Sequence, residues 1–171
     1  MNFPFYSFLA LVVFCFSYAK DSLFLYENYA YKDLTRKIIV KGKIWDEVIA
    51  LEASSKYEFI IPISVFLTKE PFFLFKNKYL KNPNYKRCFL NGKAGSNLEL
   101  KKVFVVFNEL VCVNSDGTPT LKKPIKGYLL DENTDLGVSG KPIKIEILKG
   151  KKVKAIKLNS NKKVISVFQF K

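Results

Sequence analysis

The sequence predicts an all-β protein: a single sandwich or barrel-like antiparallel domain that follows a signal peptide. Three observations point there. Ile143-Lys144-Ile145-Glu146-Ile147 alternates at period two, placing isoleucines on one face of a strand and charges on the other. Phe59, Ile61, Ile63, Val65 and Leu67 repeat at the same period. Val103 to Val113 is almost wholly apolar, as expected of a strand covered on both faces. No segment sustains a long helical period, so sheets must build the core.

From the N-terminus, residues 1–19 carry no charged side chain and hold an apolar run from Phe8 to Phe16, followed by Ser17-Tyr18-Ala19. This is the pattern of a secretory signal cleaved after Ala19. The run is short against the roughly 20 residues that span a bilayer. Cys15 lacks the small residues that precede a lipidated cysteine. Residues 20–36, with Tyr26, Tyr29 and Tyr31 among alternating charges, read as an N-terminal arm, either a short helix or an irregular segment. Residues 37–171 are then one domain. Within it, Pro62 marks a sheet edge or bulge in the Tyr57 to Leu67 strand. The stretch from Lys76 to Arg87 reads as a long loop. Beyond Ile147, Lys149-Gly150 turns the chain into Val153 to Leu158, and Asn159-Ser160-Asn161 turns it again into Val164 to Phe170. This predicts a three-stranded C-terminal meander.

Once the signal is removed, Cys88 and Cys112 remain. In an oxidising compartment such a pair forms a disulfide, and the alternative is two buried thiols. A disulfide would close a loop of about 25 residues, worth about 3 to 4 kcal/mol in the chain-entropy model.

The formal net charge is +14, from 29 Lys and Arg against 15 Asp and Glu. Only Arg36 and Arg87 are arginine, the residue favoured for bidentate phosphate contacts. Two readings stand: the codon bias of an AT-rich genome, or a basic surface for acidic partners, lipopolysaccharide or DNA. The candidate surface is Lys149, Lys151, Lys152, Lys154 and Lys157, continued by Lys162 and Lys163. Lysines on an exposed sheet face also protect edges from aggregation. Aromatic residues interleave with lysine between Phe72 and Phe89, as in nucleic-acid grooves and, more often, in cores and interfaces.

Catalytic chemistry has little to work with. There is no histidine, which removes the usual general base and the commonest metal ligand. Asp131, Glu132 and Asp135 cluster without the calcium-loop pattern and read as solvated turn residues. Ser54-Ser55-Lys56 has no S-x-x-K partner motif, and neither a phosphate-binding loop nor a dinucleotide fingerprint occurs. No enzymatic activity, cofactor or metal is expected.

The stretch from Cys88 to Gly140 has a recognisable order. Cys88 is followed by a small-residue turn at Gly92 to Gly95, the strand Val103 to Val111, Cys112 and a turn at Asp116-Gly117. Lys126-Gly127-Tyr128-Leu129-Leu130 comes next, and Asp131-Glu132 leads to Gly137 and Gly140. This order resembles the conserved β-domain of the TraB/TrbI (VirB-ten-like) family of conjugal pilus assembly and type IV secretion. Gly42 to Glu52 and Ile61 to Leu67 look like that family's preceding strands. In physical terms Gly127 permits a bulge or a close backbone approach, and Asp131 to Gly140 a wide solvated turn.

The chain departs from the family at both ends. A signal-like segment stands where the family has a cytoplasmic tail, an inner-membrane helix and a linker. After Gly140 it enters Lys-rich strands, where the family carries membrane-crossing helices. The resemblance therefore implies the β-domain alone: a periplasmic, outer-membrane-associated assembly component that forms homo-oligomers and packs against other core-complex subunits. The competing expectation is a free periplasmic module that holds DNA or anionic envelope polymers.

Overall fold

The computed structural model describes residues 36–52, 59–68 and 87–171. Several sequence-based expectations lie outside them: the signal peptide, the arm before Arg36, Ser54-Ser55-Lys56, the Lys76 to Arg87 loop except Arg87, which opens a strand, and the aromatic residues from Phe72 to Phe89 except Phe89. The described residues form ten strands: β1 Ile38–Ile44, β2 Val48–Leu51, β3 Ile61–Leu67, β4 Arg87–Asn97, β5 Lys102–Val113, β6 Pro119–Leu130, β7 Val138–Ser139, β8 Lys141–Leu148, β9 Lys151–Leu158 and β10 Lys163–Phe170.

Strands β4, β3, β1, β10, β6 and β5 pair in that order, and β4 also pairs with β5, so the sheet closes into an antiparallel barrel. The barrel-like alternative of the sequence reading is the one realised. Closure removes the exposed edges that an open sheet of this width would leave. The short β7 extends the ring beside the start of β5, where Val138 pairs with Val103. A second sheet, ordered β2-β9-β8, packs through β2 on β3 and β4 and through β9 on β5. Val48, Ala50, Ile156 and Leu158 of that sheet join the same buried cluster as the barrel residues, so both sheets share one core.

Period-two alternation decides which side chains fill the barrel. Ile63, Val65 and Leu67 of β3 point inward, as do Leu90 of β4 and Val103, Val105, Phe107 and Leu110 of β5. One interior row is informative: Ile63 pairs with Gly92, Gly92 with Phe107, Phe107 with Gly127, Gly127 with Phe168, and Phe168 with Ile38. Phe107 and Phe168 are the largest fully buried side chains, and a glycine lies beside each ring. Two phenylalanines fill this level of the barrel because Gly92 and Gly127 leave room for them. Register shifts between Asn91 and Gly92 and between Phe107 and Glu109 place bulges at the same level, where the strands must bend.

Two expectations need correction. The C-terminal meander is realised only in its first hairpin: β8 pairs with β9, but β9 turns away to β2, and β10 enters the barrel between β1 and β6. The Asn159 to Asn161 turn causes the separation, since its Asn161 amide donates to the Ile44 carbonyl at 2.8 Å and the Ile44 amide to the Lys162 carbonyl at 3.0 Å. Those bonds deliver the chain to β1 instead of back along β9. Likewise Gly92 to Gly95 is no turn. It lies inside β4, and the chain reverses at Leu98 to Lys101, where Lys101 takes a positive φ of 53°. Pro62 fits its expectation. β3 pairs with β1 only through Val65, Phe66 and Leu67, so the absent amide hydrogen of Pro62 costs that seam nothing.

Candidate functional site

Cys88 and Cys112 are direct partners on β4 and β5, with Cα atoms 4.0 Å apart and sulfurs at bonding distance, 1.99 Å. Both are fully buried in the core cluster. They sit at the open end of the long β4–β5 hairpin, opposite its Leu98 to Lys101 turn. The pair therefore staples two neighbouring strands, and the loop it closes is the β4–β5 hairpin.

Gly127 proves to be both a close approach and part of a bulge. A Cβ there would stand 2.4 Å from the Val167 carbonyl oxygen and 2.5 Å from the Phe168 Cβ. Its neighbour Tyr128 points the other way, into a small buried cluster outside the barrel wall with Phe59, Phe104 and Val167. The segment after β6 closes over that cluster. Gly137, at φ 72°, lies so near Phe104 that a Cβ would stand 2.7 Å from the ring. Gly140 is similarly crowded by Ile156 and donates its amide to the Lys101 carbonyl at 3.1 Å.

Asp131 organises this segment. Its Oδ1 accepts the amides of Asn133 and Asp135, each at 2.9 Å, while its own amide donates to the Asp135 carbonyl at 2.9 Å. The carboxylate thus replaces water for two turn amides and fixes where β7 begins. Replacing it by alanine removes the acceptor of both amides beneath an otherwise exposed turn. Asp131→Ala is expected to lose about 2 kcal/mol in urea unfolding, with Asp131→Asn keeping the acceptor oxygen and most of the stability. Glu132 points outward, 3.9 Å from Lys163. Among the described residues no group of three or more His, Cys, Asp or Glu side chains is arranged to hold a metal ion. At the earlier turn, the Thr118 amide, helped by its hydroxyl, holds the Asp116 carboxyl below the ordinary range.

The lysine candidates divide. Lys149, Lys151, Lys152 and Lys154 are exposed on the β8–β9 hairpin. Lys157 is engaged, with Nζ 2.6 Å from Glu47, and Lys162 donates to the Ser139 carbonyl at 2.6 Å. Lys152 pairs across the strands with Glu146, whereas Lys154 stands directly opposite Lys144.

One feature escaped the sequence reading. Trp45, at the end of β1, packs on Phe66 of β3 and Phe89 of β4 with ring centroids 5.8 and 5.2 Å away, and Phe66 and Phe89 are 5.6 Å apart. The cluster lies on the outer wall, and Trp45 is 47% exposed. The signal available was phase: Phe66 and Phe89 fall on the outward positions of their strands, where polar residues are the rule. The chain matches no protein-family model and no curated protein.

Proposed function

We propose that this protein is an exported assembly component of a type IV secretion or conjugation apparatus, acting in the periplasm by packing its β-domain against other envelope proteins. The observation that carries the reading is the Trp45-Phe66-Phe89 cluster, a half-exposed aromatic patch on the wall of a closed barrel. The barrel's own strands have no free backbone edge, so association through its wall falls to side chains, and tryptophan is among the residues that anchor protein interfaces. The Cys88–Cys112 pair supports an oxidising compartment. The order of motifs from Cys88 to Gly140 supports the secretion apparatus. Site-specific photo-cross-linking from position 45 in the envelope fraction tests the proposal. Adducts with other envelope proteins are expected, and Trp45→Ala should weaken the assembly by about tenfold or more. Recovery of the protein alone, or with reduced thiols from the cytosol, would overturn it.

A second reading, a periplasmic module for DNA or anionic polymers, is favoured by the exposed hairpin lysines. It requires monomers whose polyanion affinity collapses as salt rises, whereas an aromatic-anchored assembly survives moderate salt.

A further inference from the structure

We infer that the β8–β9 hairpin is a docking arm that takes an acidic, extended peptide segment by strand addition along the free edge of β8. The inference stands on the hairpin alone and does not depend on the apparatus proposed above. β8 is the terminal strand of its sheet, and β9 is flanked by β2 only from Ala155 to Leu158. Among the described residues, the part of the hairpin from Lys144 to Lys154 is therefore a two-stranded ribbon with no further strand beside it. Such a ribbon is marginal by itself and presents unpaired backbone donors and acceptors.

The side chains state what would complete it. One face carries Ile143 and Ile145, both half-buried, with Val153 opposite Ile145, and Ile147, 50% exposed, follows at the register shift between Glu146 and Leu148. The other sets Lys144 directly against Lys154, a like-charged cross-strand pair that costs stability until a carboxylate neutralises it. Glu146 is the ribbon's acid, and its Oε1 already accepts the Gly150 amide at 2.9 Å.

Other occupants fit less well. A second copy would bring lysine against lysine. A lipid surface would leave the ribbon's edge groups in hydrocarbon, at several kcal/mol for each unsatisfied group. A single-stranded nucleic acid is held by stacking on aromatic side chains, and Lys141 to Leu158 contains no aromatic residue and no arginine. An acidic strand meets all three demands at once: its backbone pairs with β8, its apolar side chains cover the isoleucines, and its carboxylates reach Lys144 and Lys154. Pro142, which has no amide hydrogen, limits the receptive edge to Ile143 and beyond.

The test uses the full chain and a fluorescent peptide of alternating glutamate and valine, about eight residues long to match a strand. Anisotropy should report binding that weakens with salt. N-methylating alternate backbone amides, which removes edge hydrogen bonds at constant charge, should reduce affinity by about tenfold or more. The Lys144→Glu/Lys154→Glu variant exchanges one like-charged pair for another and should keep its thermal midpoint. It should lose the glutamate peptide and gain one of alternating lysine and valine. Failure of the glutamate peptide to bind, or equal binding of its N-methylated form, would overturn the inference. So would phosphatidylglycerol vesicles or oligothymidylate binding at Lys144 and Lys154 more tightly than the peptide.

Discussion

Gly127→Ala is expected to lower the stability of the barrel by about 3 to 5 kcal/mol, a fall of about 10 °C in Tm for a chain of this size. The added methyl would lie 2.4 Å from the Val167 carbonyl oxygen, 2.5 Å from the Phe168 Cβ and 2.8 Å from the Phe168 Cα. Two of these three atoms are backbone, so no rotamer change relieves the clash. β10 would have to move, and it is held on its far side by β1 through six register pairs from Ile38 to Lys43. A matched control is Gly117→Ala. Gly117 has φ 85° and nothing within 4 Å of its would-be Cβ, so alanine there brings only the left-handed backbone penalty of about 1 kcal/mol. Equal losses for both variants in parallel urea unfolding would show that the Gly127–Phe168 contact is not what shapes the barrel.

The same glycines show how far the sequence could be read. Strand existence was legible because side chains alternate along β3 and β8 and the start of β5 is apolar on both faces, and those signals are local. Pairing is not local. The ring closes through β1 with β10 and β6 with β10; in the second of these Gly127 admits Phe168, and no window along the chain contains both. Gly92 and Gly95 looked like a turn because glycine usually marks one. In the ring, Gly92 faces Phe107 with a would-be Cβ only 2.3 Å from the Val106 carbonyl oxygen, a demand of packing and not of chain reversal. The real turn, Leu98-Glu99-Leu100-Lys101, is stabilised by the Asn97 side chain accepting the Leu100 amide at 2.9 Å, a signal of one residue among apolar neighbours. Of the candidate site, Gly127 and the turn after Asp131 were readable because close approach and turning are local habits of those residue types. Asp131, expected to be solvated with Glu132 and Asp135, is instead buried because its carboxylate turns inward to bond the Asn133 and Asp135 amides. The aromatic cluster was not readable, since Trp45, Phe66 and Phe89 come together only when β1, β3 and β4 are side by side.

The Cys88→Ala/Cys112→Ala variant is expected to lose about 3 kcal/mol relative to the oxidised chain, from restored freedom of the unfolded state. The loss should be uneven in space. The β4–β5 pair is closed by its turn at one end and by the two cysteines at the other, so neither fraying nor slippage is open to it while the cystine is intact. Without it, amide exchange should quicken at Phe89, Leu90 and Val111, whereas Val40 and Val167, paired deeper in the ring, should keep their protection. Because Cys88 and Cys112 are buried, dithiothreitol should reduce the native chain only as fast as this end of the hairpin opens, and far faster once urea has unfolded it. A variant with unchanged midpoint and unchanged exchange at Phe89 and Val111 would mean that Leu90 packed on Leu110 holds the end unaided. The barrel's weakest seam would then be β1 against β3, where three register pairs are flanked by the Trp45 amide on the Ser64 carbonyl and the Thr68 amide on the Lys41 carbonyl.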